Sequence, residues 1–247
     1  MRVQLVSNIK LHLCKKMPNI KELIVPKAPI LILAGNICFV KHPFFLPFFQ
    51  KLSKMFEHII YVFGPHEYYH IGDLQMESPV ALETYAKDLL VDIKNVHILQ
   101  KEDFKIDNVV FLGCTLWSYI SKRDLVIKTY PLVQNSFVRC GTKILMNPLI
   151  TNKIHFEHKL WLERMADTFV EEIKVVVTFF LPSFCSLDDK FTFLSKASYS
   201  NCDELVTRMS AWCAGKGKVQ KIVDIARTPL YINPHPAEEG GELLFFV

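Results

Sequence analysis

The side chains of this 247-residue chain that could do chemistry stand just past short apolar runs. Asn8 and Lys10 follow Val3 to Val6, Asn36 follows Ile30 to Ala34, and His66 and Glu67 follow Ile59 to Phe63. Phe179 comes directly after Val175 to Thr178, and Lys216 and Lys218 flank Gly217. Hydrolysis by a pair of divalent ions needs carboxylates and imidazoles at such strand ends, because hard oxygen and borderline nitrogen donors hold two cations close enough to share a hydroxide. Apart from His66 and Glu67, the positions named here carry amides, ammonium groups and a phenyl ring. An amide keeps the shape and hydrogen bonding of a carboxylate but loses the charge that favours a divalent ion. A charged ammonium has three hydrogens and no lone pair, so it repels a metal rather than ligating it.

The elements that must position these groups are written in the hydrophobic pattern. The runs 3–6, 30–34, 59–63, 109–112 and 175–178 are rich in β-branched residues and bounded by Gly, Asn, Pro or polar residues, which predicts buried central strands. Phe45, Phe48, Phe49, Leu52, Met55 and Phe56 recur at helical spacing, as do Ile154, His158, Trp161, Leu162, Met165 and Phe169, which predicts two amphipathic helices packed on a sheet. A third helix is expected from Cys202 to Trp212, with Asn201 and Glu204 arranged as a capping box. Period-two alternation then predicts strands over Val219 to Ile225, Leu230 to Ile232 and Leu243 to Val247, a sheet completed late in the chain. Strands alternating with helices and followed by a strand-rich end imply two packed sheets flanked by helices, in one domain over residues 1–247.

Several runs are similar to the metal-binding motifs of the calcineurin-like metallophosphoesterases. Val6-Ser7-Asn8-Ile9-Lys10-Leu11 resembles S-D-x-H-L, and Leu31-Ile32-Leu33-Ala34-Gly35-Asn36-Ile37 resembles L-I-L-A-G-D-I. Tyr61-Val62-Phe63-Gly64-Pro65-His66-Glu67-Tyr68-Tyr69 stands against Y-V-x-G-N-H-E-Y-Y, and Val176-Val177-Thr178-Phe179-Phe180-Leu181-Pro182-Ser183 against V-V-T-H-H-L-P-S. Trp212-Cys213-Ala214-Gly215-Lys216-Gly217-Lys218 stands where the family has W-x-x-G-H-x-H, and Asn233-Pro234 follows as in members. The likeness also runs through Val109 to Ser118 and His158 to Met165, in the family's order. It implies a four-layer α/β/β/α sandwich of two mixed sheets flanked by helices.

Carried over position by position, the resemblance assigns one metal to Asn8, Lys10, Asn36 and Lys218, and the other to Asn36, Pro65, Phe179 and Lys216. None of these keeps the family's ligand, so no metal and no cofactor is expected. His66 matches the family histidine that assists protonation of the leaving group, and without metal-bound hydroxide it has nothing to assist. The resemblance therefore implies an inactive, pseudoenzyme-like member kept as an interaction or structural module, as the small retromer subunit uses this fold for scaffolding. One alternative is an anion pocket of Lys10, Lys216 and Lys218 that holds a phosphate-bearing ligand uncut. Another is a rearranged metal site drawing on His66, Glu67, Asp73 or His70.

For Asn8 and Asn36 the plainer expectation is capping of strand ends and loop amides; for Phe179 and Phe180 it is core packing, with an apolar plug as the alternative. The run from Phe44 to Phe49 exceeds what one helix face requires, which makes Phe44, Phe45, Phe48 and Phe49 the candidate contact for a protein partner. His42, His70, His97 and His155 fall in no ligand spacing and are expected at the surface. A net charge of +4, spread along the chain, gives no nucleic-acid signal, and no apolar stretch reaches membrane-spanning length. Seven cysteines without a C-x-x-C pair suit a reducing compartment. The expected location is intracellular, cytoplasmic or, if the AT-rich coding bias towards Lys, Phe, Ile and Asn reflects a viral source, in a virion.

Overall fold

The computed structural model describes residues 1–69, 78–120, 146–183, 202–217, 220–234 and 243–247. Its first sheet has five strands in the order β11-β1-β2-β3-β4, formed by Leu243–Phe246, Arg2–Val6, Ile30–Ala34, His58–Val62 and Val96–Ile98. β1 to β4 run parallel, and β11 lies antiparallel against β1. The second sheet has six strands in the order β5-β6-β7-β8-β10-β9. These are Glu102–Ile106, Val109–Cys114, Ile173–Thr178, Ala211–Ala214, Thr228–Ile232 and Lys221–Ile225, with β6, β7, β8 and β10 parallel. Both sheets are mixed, because β11, β5 and β9 each pair antiparallel.

Alternation along each strand builds the layers. Ile30, Ile32 and Ala34 meet Phe111, Val175 and Val177 between the sheets. Leu31 and Leu33 turn the other way, onto helices α1 (Ile20–Leu23), α2 (Phe45–Leu52) and α3 (Pro79–Leu89). On the far side Val110, Leu112, Val176 and Trp212 pack with Leu162 and Ala166 of α4 (Pro148–Thr168) and with α5 (Asp203–Val206). The result is the expected α/β/β/α sandwich, with the five predicted central strands in place.

Four expectations are corrected. The helix expected from Cys202 to Trp212 is only Asp203–Val206, and Trp212 lies in β8 with its indole N–H donating to Thr178 Oγ1 at 2.9 Å. β8 is buried along its whole length, so no alternation marked it as a strand. The C-terminal strands do not complete one sheet: β9 and β10 extend the second, while β11 crosses to pair with β1 in the first.

Phe45, Phe48 and Phe49, proposed as a partner contact, are fully buried, because α2 lies on β3 with Phe49 packed 5.1 Å from the Tyr61 ring. Phe44 is half-buried against His42. Nor are the histidines uniformly at the surface. His155 is buried with Nδ1 2.9 Å from Trp117 O, and His97 stacks on Phe104 at 3.5 Å. His70 lies outside the described residues.

Truncating Phe49 to Ala is expected to cost about 3–5 kcal/mol in urea unfolding, the range for a buried aromatic. A cost below about 0.5 kcal/mol, typical of a surface change, would return Phe49 to the exposed contact set.

Candidate functional site

The loops after β1, β2, β3, β7, β8 and β10 meet at one end of the sandwich, and a buried carboxylate ties the loop after β3 to the loop after β2. Glu67 sits in a 3₁₀ turn, Pro65–Tyr68, that begins just past β3. Its Oε2 accepts from Asn36 N at 2.9 Å and Gly64 N at 2.8 Å, and its Oε1 from Ile37 N at 2.6 Å and the Tyr61 hydroxyl at 2.9 Å. Burial pushes its pKa up to about 7 against the pull of these four hydrogen bonds. With both oxygens engaged by protein donors, Glu67 is a structural anchor and not the metal ligand that a rearranged site would require. Of the other two residues suggested for that site, His70 and Asp73 lie outside the described residues.

Above the anchor the two asparagines form a directed relay. Asn36 Oδ1 accepts from His66 N at 3.0 Å, and Asn36 Nδ2 donates to Asn8 Oδ1 at 2.9 Å. Asn8 Nδ2 then faces the carbonyls of Gly215 at 2.7 Å and Pro234 at 3.1 Å, together with Ser7 Oγ at 2.9 Å. Carbonyl oxygens can only accept, so the sense of every amide is fixed from end to end. Both asparagines hold left-handed backbone, φ 54° at Asn8 and 57° at Asn36, which this residue type tolerates better than most. Ser7 Oγ also donates to Gly215 O at 2.9 Å and bonds Asn233 O, closing β1 onto the loops after β8 and β10.

Phe179 fills the space beside the relay. A Cβ added at Gly35 would lie 2.7 Å from both Gly64 N and the Phe179 ring, and one at Gly64 would lie 2.6 Å from Asn36 Oδ1 and 2.9 Å from the ring, so both glycines permit the close approach of the two loops and the phenyl. Gly35 also has φ 81°, open to glycine at little cost. Lys216 lays its ammonium over Phe180 at 4.7 Å and Phe179 at 5.9 Å, a cation–π contact. Burial of its surroundings, then the nearby Lys10 charge, lower its pKa to about 8. Lys10 is half-buried with φ 54°, and its N–H donates to Asn36 O at 3.0 Å.

His66 Nδ1 lies 3.1 Å from Nε2 of His12, a residue that no sequence pattern singled out. His12 comes from the 3₁₀ turn Leu11–Leu13 and stacks on Phe39 at 3.9 Å, while His66 stacks on Tyr69 at 4.7 Å. Burial, His12, Lys10 and Lys216 lower His66 to about 3, so it is neutral near pH 7.

Seven of the eight positions singled out in the sequence thus come together here, and Lys218 lies outside the described residues. They do not fit a divalent pair. The amide hydrogens of Asn8 point at oxygens, Asn36 Oδ1 and Asn8 Oδ1 are already bonded, Pro65 and Phe179 offer no donor, and the lysines carry like charge. Among the described residues no group of three His, Cys, Asp or Glu side chains is placed to hold a metal.

No family model matches the chain. Over 75 residues, 30% of this chain and 26% of the other, it is 35% identical to an uncharacterised protein of Acanthamoeba polyphaga mimivirus. The match thus spans about a quarter of that relative's length. Among solved structures, a phosphopantetheinyl hydrolase from Mycobacterium tuberculosis superposes with a TM-score of 0.69 at 14% identity, over 96% of this chain and 90% of that one. A Thermus thermophilus protein gives 0.59 at 14% identity over 97% and 91%, and a dimetal phosphatase from Danio rerio 0.53 at 11% over 94% and 86%. At these identities the likeness is one of fold: the chain has the metallophosphoesterase-like fold.

The buried imidazoles set the acid stability. His12, His97 and His155 are lowered to about 4, and His66 and His158 to about 3, each chiefly by burial. Their folded values lie below the unfolded 6.5, so as pH falls from 6.5 towards 4 the unfolded chain takes up protons the fold refuses, and stability drops. Glu67 acts oppositely: its folded value is raised from 4.5 to about 7, so its contribution is full below 4.5 and lost as pH rises through 7. Five imidazoles outweigh one carboxyl, and the urea midpoint is expected to be lower at pH 5.5 than at pH 7.5. An unchanged or higher midpoint at pH 5.5 would mean that the imidazoles charge freely inside the fold.

Proposed function

We propose that this chain is a metallophosphoesterase-fold protein that has lost its hydrolytic centre and serves as an interaction or structural module within a larger assembly. The observation that carries the reading is the amide relay: Asn8 and Asn36 bond each other and the surrounding loops at the two positions where the resemblance calls for charged metal ligands. A loop end satisfied by its own hydrogen bonds needs no ion to hold it.

The chemistry supports the same reading. Water bound to a metal ion ionises near pH 7, whereas free water has a pKa of about 15.7, so without the ion there is almost no hydroxide to attack a phosphate. His66 is neutral and bonded to His12, so it has no proton to give a leaving group at neutral pH. A protein retained for its shape can keep the sandwich and its loops while the ligands drift. The identity with a mimivirus protein supports a viral setting, in which the assembly would be a virion and the partner another protein.

Purified protein assayed on bis(p-nitrophenyl) phosphate with added Mn²⁺ is expected to release nitrophenol no faster than the buffer. Turnover that rises with Mn²⁺ and disappears with a chelator would contradict this function and restore the rearranged metal site.

A further inference from the structure

The relay and the phenyl ring account for the closed cleft but not for the two ammonium groups left beside it. Lys10 N donates to Asn36 O at 3.0 Å and Lys216 N to Phe179 O at 2.8 Å, with the Phe179 ring against Gly35 and Gly64, so the two lysines stand on adjoining loops of the same strand end, and both charges lower the nearby His66. Among the described residues neither has a carboxylate within 4.0 Å, although exposed pairs such as Lys105 with Glu172 do occur elsewhere in the chain. Glu67, the buried carboxylate at this end of the sandwich, is consumed by its four donors.

Neither lysine hangs on loose backbone. Lys10 is held left-handed by Lys10 N donating to Asn36 O at 3.0 Å and Leu11 N donating to Ile37 O at 2.8 Å. Lys216 N donates to Phe179 O at 2.8 Å, and its side chain is seated on the Phe180 ring. Two like charges held this way, half-buried, repel each other more strongly than they would in open water. The acceptors around them, Asn8 Oδ1 and Asn36 Oδ1, are already bonded, so what the site offers a ligand is positive charge and N–H groups.

We propose that Lys10 and Lys216 bind a phosphate-bearing dianion, a phosphomonoester or free phosphate, beside the Asn8–Asn36 pair, and hold it without cleaving it. The proposal rests on the non-catalytic reading of the site and names its ligand class. A dianion neutralises both ammonium groups at once through charge-assisted hydrogen bonds, where a monoanion would leave one charge unpaired. The ammonium groups would supply the positive charge that metal ions bring to a phosphoryl group elsewhere, but no hydroxide to attack it.

Isothermal titration of the full chain with inorganic phosphate and with phenyl phosphate tests this, alongside Lys10→Met, Lys216→Met, Lys216→Gln and the exposed control Lys54→Met. Melting curves without ligand establish that each variant is folded, and Lys216→Gln stands in if the methionine variant is not. The expected result is saturable one-to-one binding, weakened about tenfold or more in each site variant, unchanged in Lys54→Met and reduced by added salt. Phosphate and phenyl phosphate binding alike supports recognition of the phosphoryl group itself, and tighter phenyl phosphate supports a monoester. No saturable binding up to about 10 mM, about tenfold above a 1 mM dissociation constant, or equal affinity in all variants, overturns the proposal. Phosphate release from phenyl phosphate in added Mn²⁺ would instead overturn the non-catalytic reading, a separate readout from the lysine dependence of binding.

Discussion

A one-way run of hydrogen bonds holds the strand ends of this sandwich together. It passes from the His66 amide through Asn36 and Asn8 to the carbonyls of Gly215 and Pro234, and every other feature of the site takes its place around it. The relay joins segments separated by more than two hundred residues, since Asn8 meets Gly215 across 207 positions. Each such bond is worth only about 0.5–1.5 kcal/mol net, but leaving any buried member unpaired costs about 1–3 kcal/mol. The asymmetry makes the arrangement all or nothing. Replacing an amide by a carboxylate does not weaken one bond; it sets oxygen against oxygen along the line.

Glu67 and the close backbone contacts make the relay possible. The carboxylate pins the Asn36 and Ile37 amides in the direction that presents Asn36 to Asn8, and Tyr61 reaches up from β3 to the same group. A Cβ at Gly215 would fall 1.8 Å from Ala34 O, so the loop after β8 approaches β2 more closely than any other residue would allow. Phe179 then seals the remaining space with an apolar ring where a polar pocket would admit water. The strand ends are thereby part of the packing, with the Lys216 ammonium laid over the Phe180 ring at 4.7 Å.

The fold was legible where burial and period coincide. Ile30 to Ala34 is apolar at every position and forms β2 over those same residues, because a strand buried on both faces needs no alternation. Glu102–Ile106 was not legible, since an edge strand half-exposed on its charged residues carries no apolar pattern. The residues 202–212 read as a helix from the capping-box arrangement of Asn201 and Glu204, whereas tertiary pairing of Ala211–Ala214 between β7 and β10 overrides it. At the site, the order of the motifs singled out Asn8, Asn36, His66, Phe179 and Lys216, which the fold brings to one end of the sandwich. The anchoring role of Glu67 was hidden because its partners are mostly backbone amides, which no sequence pattern displays. His12 was hidden because only the turn at Leu11–Leu13 brings it back onto His66.

The central claim is that amide hydrogens, and not cations, bridge these loops. Its most direct test is the stability of Asn8→Asp, an almost isosteric change that removes two hydrogens and adds a charge facing Gly215 O, Pro234 O and Ser7 Oγ. Urea unfolding at pH 7.5 without metal is predicted to show a loss of about 1–3 kcal/mol, the cost of stranding buried polar groups, and Mn²⁺ is predicted not to restore it. A variant as stable as the parent, or one rescued by Mn²⁺, would show that the loops still form a seat for a metal ion and would contradict the account.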